Sequence, residues 1–318
     1  MNRRLVVWLT LIAMPVLLAL CLFMGASKIG IPSDSAILQL RLYRVVAGFV
    51  VGAALACAGV VLQALLRNPL AEPYVLGVSS GAGVGAALAI LSGLASLSTA
   101  VLPVTAFVCA AITLAVVYGL AGTGGRLSIY GLILSGVIVS SLCSSILMFM
   151  VALAPTSGLH SVLWWMLGNL EMYSLPLLVI SATLILCGMA GAWALAPELN
   201  ALALGGEMAH HVGVRTRLAV TLGLALATLI TATAVALAGL IGFVGLIVPH
   251  VVRRLVGPDH RRLIPAAALV GGVFLAVCDA VARTILSTEV PVGVITALLG
   301  GPFFLVILRS RRKQGWIE

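Results

Sequence analysis

The chain has 318 residues, 62% of them hydrophobic and only 8% charged, with a mean hydropathy of +1.23. Soluble domains carry about 25% charged residues, so this composition excludes a water-soluble globular protein and points to an integral membrane protein. The net charge of +9 is spread over many short loops, which excludes the concentrated basic face of a nucleic-acid binder.

A membrane span needs about 20 apolar residues. Read between charges, glycines and prolines, the chain offers ten: 5–24, 45–66, 75–95, 100–121, 129–151, 174–195, 217–237, 241–256, 263–283 and 294–309. The first run is longer than the apolar core of a signal peptide, about 7–15 residues, and reads as an uncleaved span. Leu20 before Cys21 excludes a lipoprotein cleavage site. Small residues recur at helix-packing intervals, Gly48, Gly52 and Ala56 in the second span and Gly77, Gly81 and Gly85 in the third. In lipid such residues let helices approach closely where apolarity alone gives no drive to associate. Between 217 and 256 no charge intervenes, and only Gly239 and Gly242 suggest a break. All 318 residues form one membrane domain, whose longest non-spanning stretches are about 25–44, 152–173 and 196–216.

Ten spans and a cytoplasmic N-terminus put Arg3, Arg4, Arg67, Arg126, Arg215, Arg217, Arg253, Arg254, Arg261, Arg262, Arg309, Arg311, Arg312 and Lys313 inside. Only Lys28, Arg41, Arg44 and Arg283 fall outside. That is the positive-inside bias, and it places both termini in the cytoplasm.

Several chemistries are missing. A P-loop needs a lysine after glycine, but Lys28 follows Ser27 and Lys313 follows Arg312. Any ATP used in transport, with its Mg, must therefore be bound by another polypeptide. Ion-coupled transport calls for ionisable groups deep in the bilayer. Glu171, Glu198, Glu207, Asp259 and Glu289 lie in loops or at span ends, while Asp279 stands four residues before Arg283, as in a helix-surface ion pair. A secondary transporter working without an ATPase is the alternative, with an exporter permease more distant. The cysteines (Cys21, Cys57, Cys109, Cys143, Cys187, Cys278) lack metal or disulfide spacing and read as packing residues. His210 and His211 are too close in sequence to share a helix face, and His250 ends a span. His160 stands alone outside, a candidate ligand only for a haem-type cargo.

Two segments have positive features. Gly136, Ser140, Cys143 and Ser144 follow i, i+4, i+7, i+8 and make one small, weakly polar helix face, equally suited to a translocation pathway or a packing seam. Between Gly205–Gly206 and Gly213, the residues Glu207, Met208, His210 and His211 fit about two turns of helix, too short and polar to span.

Four stretches carry a family resemblance: LLRNPLAEPYVLGVSSGAGVG (65–85), LALGGEMAHHVGV (202–214), GLIGFVGLIVPHVVRRLVGPDHRRLIP (239–265) and PVGVITALLGGPFFLVIL (291–308). Together, and in this order, they resemble the permease subunits of ATP-binding-cassette importers for iron–siderophores, haem and vitamin B12. The resemblance implies an all-α polytopic membrane protein with about ten transmembrane helices per protomer, in a bacterial inner membrane. It implies a homodimer, two ATPase subunits holding ATP and Mg, and a periplasmic or lipid-anchored substrate-binding protein, with no cofactor or metal in this chain. Leu204, Gly205, Gly206, Glu207, Met208, His210 and Gly213 would form the coupling segment against the ATPase, an ordinary surface loop being the alternative. Arg41, Arg44 and Arg283 would dock the binding protein, unless they contact headgroup phosphates. Tyr43 stands where relatives typically place proline in an Arg-Leu-Pro-Arg motif. The resemblance favours a pathway along Gly136, Ser140, Cys143 and Ser144, shared with the tenth span at a twofold axis. It also makes the loop Thr123–Tyr130 an inner gate, with Ile129 and Tyr130 its candidates.

Overall fold

The computed structural model describes residues 3–25, 30, 34–123, 126–127, 129–170, 174–286 and 288–312. These are helical and irregular except for one antiparallel pair, Gly122–Thr123 with Arg126–Leu127. The α-helices are α1 (Arg3–Phe23), α2 (Ser35–Leu65), α3 (Val78–Leu91), α4 (Val101–Ala121), α5 (Ile129–Ala152), α6 (Thr156–Met166), α7 (Leu175–Ala194), α8 (Ala196–Leu204), α9 (Gly206–His211), α10 (Thr216–Ala238), α11 (Val244–Val256), α12 (His260–Thr284) and α13 (Val292–Arg312). Six of them (α2, α4, α5, α7, α10 and α12) are long and apolar enough to cross a membrane. Shorter apolar helices are α3, the Ala13–Phe23 part of α1 and the Val292–Ile307 part of α13. A helix coincides with every apolar run read from the sequence, and α6, α8 and α9 occupy stretches read as loops. Lys28, Glu171 and Lys313 lie outside the described residues.

α2 begins ten residues before its apolar run, at Ser35. Asp34 is the reason: its Oδ1 accepts the Ala36 N–H at 2.9 Å, satisfying one of the amides a helix start leaves unpaired. From Val45 onward α2 is almost wholly buried. It packs against α12, α10 and α11, while α4, α5 and α7 keep broad apolar faces exposed. The contacts are made by small residues. A Cβ at Gly52 would overlap the Gly271 carbonyl of α12, so the two backbones meet directly. The glycines of α3 serve the same end, Gly81 against Thr113 and Gly85 against the Thr105 carbonyl of α4. Burial of methyl-sized groups at this separation gains dispersion contact that lipid tails cannot match.

The long apolar stretch from 217 to 256 does break, between Ala238 and Val244. Gly239 takes φ 68°, and a Cβ there would overlap the Trp165 carbonyl, so glycine is required both by conformation and by space. Phe243 also adopts a left-handed φ of 69°, a strain of about 1–3 kcal/mol for a bulky residue. A helix break in hydrocarbon leaves backbone groups that need internal partners. Tyr74 and Glu72 supply them. The Tyr74 hydroxyl donates to Ile241 O and accepts from Ile241 N, both at 2.7 Å. The Glu72 carboxylate accepts the Phe243 N–H. Asn169 N–H donates to Ala238 O at 2.9 Å. With 13 residues, α11 rises about 20 Å, short of a hydrocarbon core of about 30 Å. The break is closed by partners from within the protein.

Candidate transport and coupling sites

The chain between α7 and α10 folds into two short helices, α8 and α9, hinged at Gly205 with φ 129°. Only a glycine adopts that φ cheaply. The next residues close one and a half turns of helix and stop at Gly213, φ 85°. On this segment Glu207, Met208, His210, His211 and Gly213 are exposed, and Ala209 is buried beneath them. Leu204, Met208 and Val212 stand four apart and are exposed by 77%, 56% and 68%. These exposed apolar side chains stand beside Glu207 and two exposed histidines.

α8 is fixed to the start of α12 by side-chain bonds. Asn200 Nδ2 donates to Asp259 Oδ1 at 2.8 Å, and Asn200 Oδ1 accepts the His260 N–H at 2.9 Å. Asp259 caps α12 by accepting the Arg261 N–H at 3.1 Å. The Asn200 amide, and then the Arg261 N–H, hold the Asp259 carboxyl below the ordinary carboxylate range. A cavity of about 450 Å³ opens beside this network, lined by Gln63, Arg67, Asn200, Arg253 and His260 among others. Arg253 donates to Gln63 Oε1 at 3.0 Å.

The arginines expected to dock a binding protein make contacts inside the chain. Arg283 is 3% exposed and Arg41 9%. Asp279, fully buried, sits between Arg44 Nε at 2.9 Å and Arg283 Nε at 3.0 Å, and Arg44 also reaches Glu289 at 2.8 Å. The pair Asp279–Arg283 forms as the spacing implies, but inside the helix bundle and not on its surface. Arg283 also donates to Met24 O at 3.1 Å, and Arg41 donates to Leu22 O at 3.2 Å and Gly30 O at 2.9 Å. These guanidiniums satisfy carbonyls at the C-terminal end of α1, where cations are electrostatically favoured. Arginines that looked unpaired in the sequence are thus an internal staple joining α1, α2 and α12.

On α5, the face of Gly136, Ser140, Cys143 and Ser144 packs mostly against neighbouring helices. A Cβ on Gly77 would come 2.9 Å from Ser140 Oγ and 3.5 Å from Gly136 O, and Cys143 lies 3.9 Å from Thr113 Oγ1. Gly136, Ser140 and Cys143 therefore form a seam within the protomer; Ser144 alone of the four is exposed. The free face of α5 is the opposite one, where Leu134, Val137, Ile138 and Met148 are exposed by 63%, 53%, 57% and 69%, with Ser141 and Ser145 between them. Of the gate loop, Gly124, Gly125 and Ser128 lie outside the described residues. Thr123 pairs with Arg126, Ile129 starts α5, and Tyr130 is 86% exposed. His160 is exposed and stacks on Trp164, ring centroids 5.7 Å apart. Cys187 is exposed on α7, unlike the buried Cys21, Cys57 and Cys278.

Glu72 and Tyr74 escaped the sequence reading. Their signal was present: a carboxylate and a phenol inside an apolar, glycine-rich run (65–85) demand partners.

Comparison with known proteins places this geometry. Residues 5–310 match the model of the FecCD transport family. The cobalamin import system permease protein of Halobacterium salinarum is 43% identical over 90% of this chain and 77% of its own length. The hemin transport system permease protein of Yersinia pestis is 38% identical over 87% of this chain and 84% of its own. Among solved structures, a metal-chelate type ABC transporter in an inward-facing conformation superposes with a TM-score of 0.87, at 31% identity, over 96% of this chain and 99% of that one. A helical bundle with six membrane-length apolar helices, a family match across nearly its whole length and permeases as relatives lead to one conclusion: the chain is a multi-pass membrane permease of the FecCD transport family.

Proposed function

We propose that the chain is the membrane half of an ATP-driven importer for a metal chelate, with cobalamin the first substrate to assay and haem the second. The observation that carries the substrate class is the 43% identity to a cobalamin permease over 90% of this chain. In this proposal α1–α5, α7 and α10–α13 all cross a bacterial inner membrane, giving ten spans with both termini in the cytoplasm. Two copies pair, two ATPase subunits bind beneath them, and a substrate-binding protein delivers cargo from outside. The exposed stripe Leu204, Met208 and Val212, with Glu207, seats on the ATPase. α9 leads through Gly213 into α10, a rod of 23 residues whose far end is the break held by Tyr74 and Glu72. Closure of the ATPase pair against α9 thereby loads α10 and the break together, the kind of discrete element that alternates between two packings. The free face of α5, with Ser141 and Ser145 among apolar residues, lines the twofold axis in place of Gly136, Ser140 and Cys143. Such a lining suits a bulky amphiphilic cargo, which must pass without tight binding.

Reconstituted vesicles test this. The chain with its ATPase subunits and binding protein should accumulate labelled cobalamin or hemin only with ATP. Uptake by the chain alone under a proton gradient would make it a secondary transporter.

A further inference from the structure

We propose that the pocket between α4, α9 and the start of α10 binds the phosphate-bearing headgroup of an anionic phospholipid. The pocket holds about 540 Å³ and is lined by Tyr118, His210, Arg215, Arg217, Leu218 and Thr221, with no acidic side chain in its lining. Its floor is a hydroxyl pair: Tyr118 and Thr221 oxygens lie 2.7 Å apart, so one hydroxyl donates to the other and the pair retains a hydrogen for an oxyanion. Its rim carries two guanidiniums and an imidazole, all exposed.

The charge arrangement asks for an anion. Arg215 stands at the N-cap of α10 and Arg217 in its first turn, no acidic residue accompanies them, and no side chain caps the helix. Two cations at the positive end of a 23-residue helix repel its unpaired amides, and a phosphate relieves both charges and amides at once. A free phosphate would use these groups alone. What favours a lipid is the apolar track that leaves the pocket: Leu218 and Leu222, exposed by 50% and 42%, continue along α10 to exposed Ala225. A headgroup in the pocket lays its acyl chains along that stripe, in the manner of basic pockets at the cytoplasmic ends of membrane helices. The site depends on these side chains and not on which chelate is carried.

The test is native mass spectrometry of the whole transporter, purified with its ATPase subunits, titrated with phosphatidylglycerol, phosphatidylcholine or inorganic phosphate. Phosphatidylglycerol should bind more tightly than phosphatidylcholine, and the double variant Arg215→Gln/Arg217→Gln should lose roughly 30-fold in that affinity. Tyr118→Phe, which keeps the ring and removes a donor, should lose less. The control Arg261→Gln/Arg262→Gln removes equal charge from another loop and should change nothing. Equal losses in pocket and control variants would mean diffuse surface attraction and overturn the site. Full displacement of the lipid by inorganic phosphate would make the occupant a soluble anion. Binding of phosphatidylglycerol only after the ATPase subunits are removed would show that the ATPase covers the pocket, and would equally overturn the lipid.

Discussion

Replacing Asp279 with Asn separates an internal staple from a docking surface. The Asp279 carboxylate is fully buried between two guanidiniums at 2.9 and 3.0 Å. With Asn in its place, Arg44 keeps Glu289 at 2.8 Å. Arg283, 3% exposed, keeps only carbonyl contacts among the described residues. Removing one partner of a buried pair costs about 3–5 kcal/mol, chiefly because the other charge is stranded. Asn retains an acceptor oxygen and Arg44 retains a carboxylate, so the lower end, about 3 kcal/mol, is expected. That is a drop of about two orders of magnitude in the folded-to-unfolded ratio. Unfolding of the purified chain in mixed detergent and dodecyl sulfate micelles measures it. Uptake per folded transporter should stay near normal. Replacing the group together, Arg44→Met, Asp279→Leu and Arg283→Met, should recover much of the loss, because the one charge left without its partner, Glu289, is 42% exposed and can be hydrated. A change in stability below about 0.5 kcal/mol for Asp279→Asn, accompanied by weaker association with the binding protein, would refute the staple and restore the docking assignment of Arg41, Arg44 and Arg283.

At the helix break, Tyr74→Phe removes the partner of both the Ile241 N–H and carbonyl; about 1–3 kcal/mol per stranded group should appear as faster thermal inactivation, and Glu72→Ala should behave likewise through the Phe243 amide. On α9, Glu207→Arg should leave ATP hydrolysis running while uptake falls in coupled vesicles; normal coupling would place the ATPase contact elsewhere. Gly205→Ala puts a Cβ at φ 129°, a strain of about 1–3 kcal/mol, and should lower uptake by shifting α9 without preventing insertion. For the dimer, single cysteines at Val137, Ser141 or Tyr130 should cross-link between protomers, whereas Ser140→Cys should not; the reverse pattern would return the pathway to the inner seam of α5.

The membrane class, helix positions and family were legible because each rests on a repeated signal. Long apolar runs, glycines spaced by four and arginine-rich inner loops are sums over many residues, so no single misreading overturns them. The individual polar residues were not legible in the same way. Arg41, Arg44 and Arg283 ran against the charge bias, and sequence reasoning sought a partner outside the chain. Partners lie inside it as well: Asp279, more than 230 positions from Arg44, and the carbonyls that end α1. The neighbours of Gly136, Ser140 and Cys143 were hidden for a related reason. A helical period identifies a common face but not its neighbour, and Gly77 and Thr113, which cover that face, come from other helices.

Glu72 marks where a physical rule could have been applied further. In hydrocarbon, a carboxylate and a nearby phenol persist only if something requires hydrogen-bonding there. The chain offers one such need, because Gly239 and Gly242 interrupt a continuous apolar run, and the Ala238 carbonyl, both backbone groups of Ile241 and the Phe243 amide take their partners from outside the helices. Two unexplained polar side chains and one unexplained backbone break, 167 residues apart for Tyr74 and Ile241, thus answer each other. Membrane proteins make this inference stronger than it would be in water. Water satisfies a loose backbone group in a soluble loop, whereas within the bilayer the same group must find its partner in the chain.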